Sequence, residues 1–141
     1  MAISFSYQKD DFALVEEAKI RQWIAAVVQG RQCRVGSIGY LFCDDAYLLE
    51  ANMKYLNHDT LTDIITFDYV EGTLVSGDIM ISVDRVEENA VDFGVPFEQE
   101  LHRVIIHGIL HLLGQGDKSE EESKEMRCQE NEALQIWDTM R

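Results

Sequence analysis

The sequence predicts an α+β fold of four strands and five helices. Two patterns support this: apolar residues that alternate with polar ones mark short strands, and apolar residues at helical spacing mark amphipathic helices. The patterns follow one another in the order β-α-β-α-β-β-α-α-α, with no repeat, linker or low-complexity segment. The chain has 141 residues, of which 46% are hydrophobic, enough for a core without disulfides. We therefore expect one domain over residues 1–141.

The chain opens with a short strand and a helix. Ile3, Phe5 and Tyr7 alternate with polar or small neighbours, which is typical of a half-buried strand. Apolar residues then recur at helical spacing over 12–28, and Gly30 is a natural stop. The remaining elements are predicted at 35–43, 46–57, 62–70, 73–83, 83–93, 96–113 and 119–137.

The middle of the chain predicts a strand, a helix and a hairpin. β-branched and aromatic residues from Val35 onward favour the strand. Asp44 and Asp45 offer an N-cap for the second helix. The next two segments are both β-prone, and Glu71-Gly72 between them is a plausible tight connection.

Three helices end the chain, each with its own boundary signals. Ser82 can cap the short third helix, and Gly94 ends it. Pro96 suits the first turn of the fourth helix, which Gly114 stops. A capping box at 119–122 begins the last helix. The apolar stripe of that helix consists of Met126, Ala133, Leu134 and Trp137.

The charge of the chain is strongly negative, at −14. Much of the excess lies in 119–132, where six glutamates alternate with Lys124 and Arg127, and we interpret this run as a solvated helix face. Such a surface repels polyanions, so any nucleic-acid role needs a local basic patch or a bound cation.

Nothing in the sequence predicts export or membrane insertion. The N-terminus lacks a basic and apolar signal, and the longest apolar run, 104–113, is too short to span a bilayer. The cysteines Cys33, Cys43 and Cys128 are odd in number and widely separated, so we expect reduced, mostly buried thiols in a cytoplasmic protein.

His107 and His111 are the clearest chemical signal. They lie four residues apart in the strongest predicted helix, so both imidazoles leave one face. Gly114 and Gly116 let the backbone reverse, so that Asp117 can return to the pair. The pattern H-x3-H-x2-G-x2-D is the ligand register of the metzincin peptidases with aspartate as the third ligand. This set suits one zinc ion, or another divalent transition metal, with a position left open.

One alternative to the metal site stays open, and one missing residue argues against peptidase activity. The histidines could instead be core residues bonded to backbone carbonyls, with Asp117 bonded to loop amides. The peptidase motif also needs a glutamate after the first histidine, and that position is Gly108. Without this base, peptidase chemistry is disfavoured, and we assign no catalytic residue.

The neighbours of the motif have open roles. His102 is turned about 140° from the ligand face, so we expect it at the surface or in packing. Arg103 shares that face and could meet a phosphate or form an ion pair with the surrounding acids. Asp63 or Asp78 could bond the free ring nitrogen of a ligand histidine, or cap a turn.

At these residues the sequence resembles the YbeY family of metal-dependent endoribonucleases implicated in ribosomal RNA maturation. The family hallmark HGxLHLxGxxH reads HGILHLLGQGD here, at 107–117. The segment TDIITF at 62–67 matches the family's TDVLSF, and GDI at 77–79 matches its GDI strand. With Leu56-Asn57, the match covers most of the chain from the second helix onward.

The resemblance implies a small mixed four-stranded sheet flanked by about five helices, with zinc at the motif. It implies that the protein cuts single-stranded RNA in late maturation of the small-subunit ribosomal RNA 3′ end and in ribosome quality control. Its partners would be ribosomal RNA and possible ribosomal proteins or the small subunit, but no DNA and no membrane.

The sequence departs from the family pattern twice. Asp117 stands where the family has its third histidine. An aspartate carboxylate is a harder ligand than imidazole, and its negative charge lowers the net charge at the ion. The loop 58–61 is short and lacks the family's Tyr-Arg pair. The cations that could replace this arginine are Arg31, Arg34, Lys54 and Arg103.

Three functions stay open at this stage. The first is a hydrolytic ribonuclease, and the second is a non-catalytic ribosome-assembly or protein-binding factor with a structural metal. The third is a metal-dependent hydrolase of a small molecule. An open coordination position that faces a cleft would favour an enzyme, and a broad basic groove rather than a narrow pocket would favour RNA.

Overall fold

The computed structural model describes residues 2–56 and 62–140 and has the predicted order of elements. The predicted end of the second helix at Asn57 and the short loop 58–61 lie outside the described residues. The elements are β1 (Ala2–Tyr7), α1 (Glu17–Gly30), β2 (Arg34–Cys43), α2 (Asp45–Leu56), β3 (Ile64–Asp68), β4 (Leu74–Ser82), α3 (Val83–Phe93), α4 (Phe97–Leu112) and α5 (Glu120–Thr139).

The strands form one mixed four-stranded sheet in the order β1-β2-β4-β3. β1 and β4 both pair in parallel with β2, whereas β3 pairs antiparallel with β4. The hairpin turn closes as expected, because Glu71 and Leu74 exchange backbone hydrogen bonds and Gly72 has a φ of 59°. The α+β class and the mixed sheet are therefore confirmed.

Most helix boundaries follow their predicted signals. Asp44 accepts a hydrogen bond from the amide of Tyr47 at 2.8 Å, and Ser82 accepts one from the amide of Arg85. Both halves of the capping box at 119–122 are present. Pro96 precedes α4 as its N-cap, with extended backbone, instead of lying within the first turn.

The start of α1 differs from the prediction. Residues 12–16 are not helical, although Phe12 and Leu14 pack against the core. The hydroxyl of Tyr7 donates to Glu17 at 2.5 Å and accepts from the Leu14 amide at 3.2 Å. Tertiary contacts therefore hold this segment in place, and such contacts override a local helical pattern.

The sheet has two unequal faces. On one face, helices α1, α3, α4 and α5 pack against the sheet and form the main core. The strands contribute buried residues such as Ile38, Tyr40 and Ile79 to this core. On the other face a smaller cluster joins Leu48 and Ala51 of α2 to the strands. α4 lies closely on the first face, and a Cβ at its Gly108 would be 3.0 Å from Ile79 Cδ1.

The cysteines only partly match their prediction. All three are free, and Cys43 is buried, but Cys33 is half-buried and Cys128 is exposed. The expectation of mostly buried thiols is therefore wrong, because Cys128 lies on the outer side of α5. Among the described residues, no helix has the length and apolar character to cross a membrane.

Candidate metal centre

α4 places two histidine side chains next to each other, as the spacing predicts. The rings of His107 and His111 are 4.5 Å apart between centroids and nearly perpendicular, at 85°. Both side chains are partly exposed, at 21% and 26%. They therefore lie at the edge of the core, where an ion and a substrate can both reach them.

The turn after α4 brings Asp117 back to this pair. Gly114 has a φ of 98°, and the amide of Gln115 donates to the carbonyl of Leu110. Such a positive φ favours glycine, which has no Cβ. The hydroxyl of Ser123 donates to the Asp117 carbonyl at 2.8 Å and holds the loop against α5.

The three side chains have the spacing of a metal site. Asp117 Oδ2 lies 3.4 Å from His107 Nε2 and 3.3 Å from His111 Nε2. Two ligand atoms bound to one tetrahedral zinc at about 2.1 Å are about 3.4 Å apart. A direct charge-assisted hydrogen bond would be shorter, at about 2.8 Å. The three residues could therefore hold a metal, and their donor set of two imidazoles and a carboxylate fits zinc.

Gly108 explains why the peptidase glutamate has no counterpart. The position faces the sheet, where a Cβ would meet Ile79 at 3.0 Å and Ile64 at 3.1 Å. A longer side chain would enter the core rather than the space beside the histidines. The packing of α4 thus excludes a general base at this position.

Glu130 is the residue that the sequence interpretation missed. Its Oε2 lies 2.6 Å from His107 Nδ1, and it is only 5% exposed. The interpretation of 119–132 as a solvated face is therefore wrong for this glutamate. A signal was present: Glu130 is four residues after Met126 and three before Ala133, on the apolar stripe that packs inward.

Of the two roles open to Arg103, a phosphate contact or an ion pair with an acid, the structure shows the ion pair. Its Nη1 donates to Glu130 Oε1 at 2.8 Å, and its Nη2 donates to Asn131 Oδ1 at 2.8 Å. Burial alone would raise the pKa of Glu130, but the bonds from His107 and Arg103 outweigh it and lower the pKa. For His107, burial would lower the pKa, and the bond to Glu130 with the nearby carboxylates raises it instead.

His102 is a packing residue, and the surface alternative is wrong. It is 6% exposed, and its ring lies 4.2 Å from the Trp137 ring and 5.8 Å from the Trp23 ring, centroid to centroid. Burial lowers its pKa to about 4, so it is neutral in the core.

Asp63 and Asp78, the two possible hydrogen-bond partners of the histidines, lie in different regions of the structure. Neither makes a described hydrogen bond to a ligand histidine, a role that Glu130 fills. Asp63 lines the cleft beside His107 and Asp117, and its pKa is raised by burial. Asp78 is exposed on the other sheet face, in a groove of about 650 Å³ with Ser4, Leu41 and Met80.

A cleft of about 290 Å³ adjoins the candidate centre and is lined by His107 and Asp117. In the part of the chain that the structure describes, the cationic residues that line it are Arg103 and Arg127. The sequence did not single out Arg127. Arg34 and Lys54 line other grooves, and in the described part of the chain neither they nor Arg31 line this one.

The fold and this geometry define a class: a small α+β protein with a two-histidine, one-aspartate candidate metal centre on a helix and the following turn. The family model described as Endoribonuclease YbeY matches residues 4–138. The chain therefore belongs to the YbeY family.

Relatives and a solved structure agree with this assignment. An endoribonuclease YbeY of Flavobacterium psychrophilum is 52% identical over 135 residues, which is 96% of each chain. That of Bacteroides fragilis is 46% identical over 134 residues, 95% of this chain and 96% of the relative. The solution structure of TM1509 from Thermotoga maritima matches with a TM-score of 0.67 and 28% identity, over 98% of this chain and 93% of that one.

Proposed function

We propose that this protein is a zinc-dependent endoribonuclease that cuts single-stranded stretches of ribosomal RNA in the cytoplasm. Its role would be late processing of the small-subunit 3′ end and ribosome quality control, with the small subunit or its proteins as partners. The observation that carries the proposal is the set of three ligand atoms, His107 Nε2, His111 Nε2 and Asp117 Oδ2, beside an open cleft. The names of its relatives add RNA as the substrate.

The ligand set leaves room for catalysis. Three protein ligands are the usual number in catalytic zinc sites, whereas structural sites have four. When bound, zinc would supply a Lewis acid that stabilises the negative charge developing on the phosphoryl group. The cleft beside His107 and Asp117 offers the space that a purely structural metal does not require.

The charge of the cleft makes metal important for substrate binding as well. Among the described residues, four carboxylates line it, namely Asp63, Glu100, Asp117 and Glu130. Arg103 is engaged with Glu130, so Arg127 is the cleft's remaining guanidinium and forms no ion pair in the described structure. A phosphodiester would meet net repulsion there without a bound cation. We expect affinity for RNA to rise when the protein is loaded with metal.

The cleft also offers groups that could carry a proton or meet a base. Burial raises the pKa values of Asp63 and Glu100, so either carboxyl can hold a proton at higher pH than an exposed acid. Phe93 is 59% exposed and lines the same cleft, where its ring can stack on an unpaired base. Stacking of this kind requires single-stranded RNA.

A hydrolase of a small phosphate-containing molecule is the second candidate. The cleft is small, at about 290 Å³, and is not strongly basic. A broad basic groove would have favoured RNA more clearly. The substrate assay therefore has to include both kinds of molecule.

The test uses end-labelled ribosomal RNA with an unprocessed 3′ end and, in parallel, a small phosphodiester. Zinc-loaded wild type should cut the RNA, and His111→Ala prepared identically should not, because it lacks one ligand. Gln99→Ala, an exposed change on the same helix, is the matched control and should cut normally.

The other outcomes decide between the candidates. Equal cleavage by wild type and His111→Ala would point to a contaminating nuclease and reject the proposal. Hydrolysis of the small phosphodiester without RNA cleavage would favour the second candidate. No hydrolysis of either substrate, with zinc tightly bound, would favour a non-catalytic assembly factor.

A further inference from the structure

Two adjacent helices are joined beside the candidate centre by a chain of short polar contacts. Arg103 and His107 lie one turn apart on α4, and both contact the carboxylate of Glu130 on α5. Arg103 Nη1 lies 2.8 Å from Oε1, and His107 Nδ1 lies 2.6 Å from Oε2. Each carboxylate oxygen therefore has one partner on the same neighbouring helix.

Glu130 cannot easily leave this position. It is 5% exposed and lies on the stripe of α5 that includes Met126 and Ala133, both buried. Arg103 is held in turn by Asn131, the next residue of α5. A carboxylate fixed by packing and by a guanidinium is a rigid acceptor.

We propose that Glu130 is a positioning residue that sets the ring orientation and tautomer of His107 for metal binding. A neutral imidazole has a proton on one nitrogen only. A carboxylate at Nδ1 accepts that proton's hydrogen bond, which leaves the Nε2 lone pair free and directed towards Asp117. The inference rests on the proposed metal centre and adds a residue to it.

The two histidine ligands differ in this respect. His111 Nε2 also lies 3.3 Å from Asp117, yet among the described residues His111 has no hydrogen-bonded carboxylate comparable to Glu130. His107 is thus the oriented ligand of the pair. Arg103 acts through Glu130, which removes it from the cations available to contact RNA.

The first test measures zinc affinity by competition with a chromophoric chelator, without RNA. Glu130→Gln keeps the size of the side chain but removes its charge, and we expect zinc to bind about 10- to 100-fold more weakly. Glu132→Gln is the matched control, because Glu132 is exposed on the same helix, and it should bind zinc as the wild type does. Wild-type affinity in a folded Glu130→Gln would overturn the proposal.

The second test needs no variant and separates positioning from a merely structural role. Long-range proton–nitrogen NMR spectra of the zinc-loaded wild type should show His107 bound through Nε2, with a protected proton on Nδ1. Coordination through Nδ1, or a rapidly exchanging Nδ1 proton, would overturn the proposal even if Glu130→Gln failed to fold.

The two tests can fail or succeed independently of the proposed ribonuclease activity. A protein that cuts no RNA but shows the expected spectra and the weaker zinc binding would keep Glu130 as a positioning residue. A protein that cuts RNA in a zinc-dependent way, with unchanged zinc affinity in Glu130→Gln, would reject this inference alone.

Discussion

Helix α4 carries histidines on two faces, and their surroundings give them different chemistry. On one face His102 packs against Trp23 and Trp137, and burial lowers its pKa to about 4. On the other face His107 is also partly buried, but Glu130 raises its pKa and holds its ring. Burial without a carboxylate hydrogen-bonded to the ring makes a histidine a neutral packing residue, since burial then outweighs the more distant acids Glu16 and Asp138. A carboxylate hydrogen-bonded to one ring nitrogen orients the ring so that the other nitrogen can coordinate a metal ion.

The comparison predicts that changes on the two faces have separable effects. We call the side of α4 with His107 and His111 the metal face and the side with His102 the packing face. Changes on the metal face should weaken metal binding, with little effect on the stability of the metal-free protein. Changes on the packing face should alter stability and its pH dependence and leave metal affinity intact. The turn that carries Asp117 lies outside both faces of α4, and a change there should lower stability and zinc affinity together.

His111→Ala should have the largest effect, on zinc affinity. It removes one of the three ligand atoms, so zinc should bind more than about 100-fold more weakly, beyond what loss of a supporting contact costs. The chelator competition assay measures it. His102→Phe, which keeps a ring between the two tryptophans, is the control and should bind zinc normally. An equal loss in both variants would remove the distinction between the faces.

The pH dependence of stability should reveal His102. Its pKa of about 4 in the folded protein lies below the usual 6.5. Between these values the unfolded chain binds more protons than the folded one, so this contribution to stability falls as the pH falls from 6.5 towards 4. A shift of this size corresponds to up to about 3 kcal/mol.

Urea unfolding of the metal-free protein at a series of pH values measures this effect. His102→Phe should have a flatter profile than the wild type in that window, since all other titrating groups are shared. Parallel profiles for the two proteins would show that His102 is not buried as a neutral ring.

Gly114→Ala should have the smallest effect of the three, on the turn that carries Asp117. A non-glycine residue at a φ of 98° is strained, by about 1–2 kcal/mol, and relaxation of the turn would move Asp117 from the histidines. We expect lower stability and weaker zinc binding together. Gly30→Ala, at the end of α1 with open space around it, is the control: alanine favours a helical backbone, so stability should not fall and zinc affinity should be unchanged. Unchanged zinc affinity in a destabilised Gly114→Ala would mean that the turn does not set the ligand geometry.

The glutamates of α5 illustrate why sequence patterns predict the fold better than the site. The charge run predicts a helix with a capping box, which the structure confirms, and most of its glutamates are exposed. The same pattern could not separate Glu130 from Glu132, because the difference depends on which side of α5 faces α4. That orientation is a tertiary property, even though the position of Glu130 on the stripe hinted at it.

The sequence by itself determined the order of elements and the spacing that brings His107, His111 and Asp117 together. These features depend on local physics: side-chain periodicity, capping residues and a glycine that permits a positive φ. Only the tertiary structure decided that Arg103 pairs with Glu130, that His102 is buried and that α1 begins at Glu17. Each of these outcomes depends on contacts between residues far apart in the chain, and local pattern does not encode which distant partner is available.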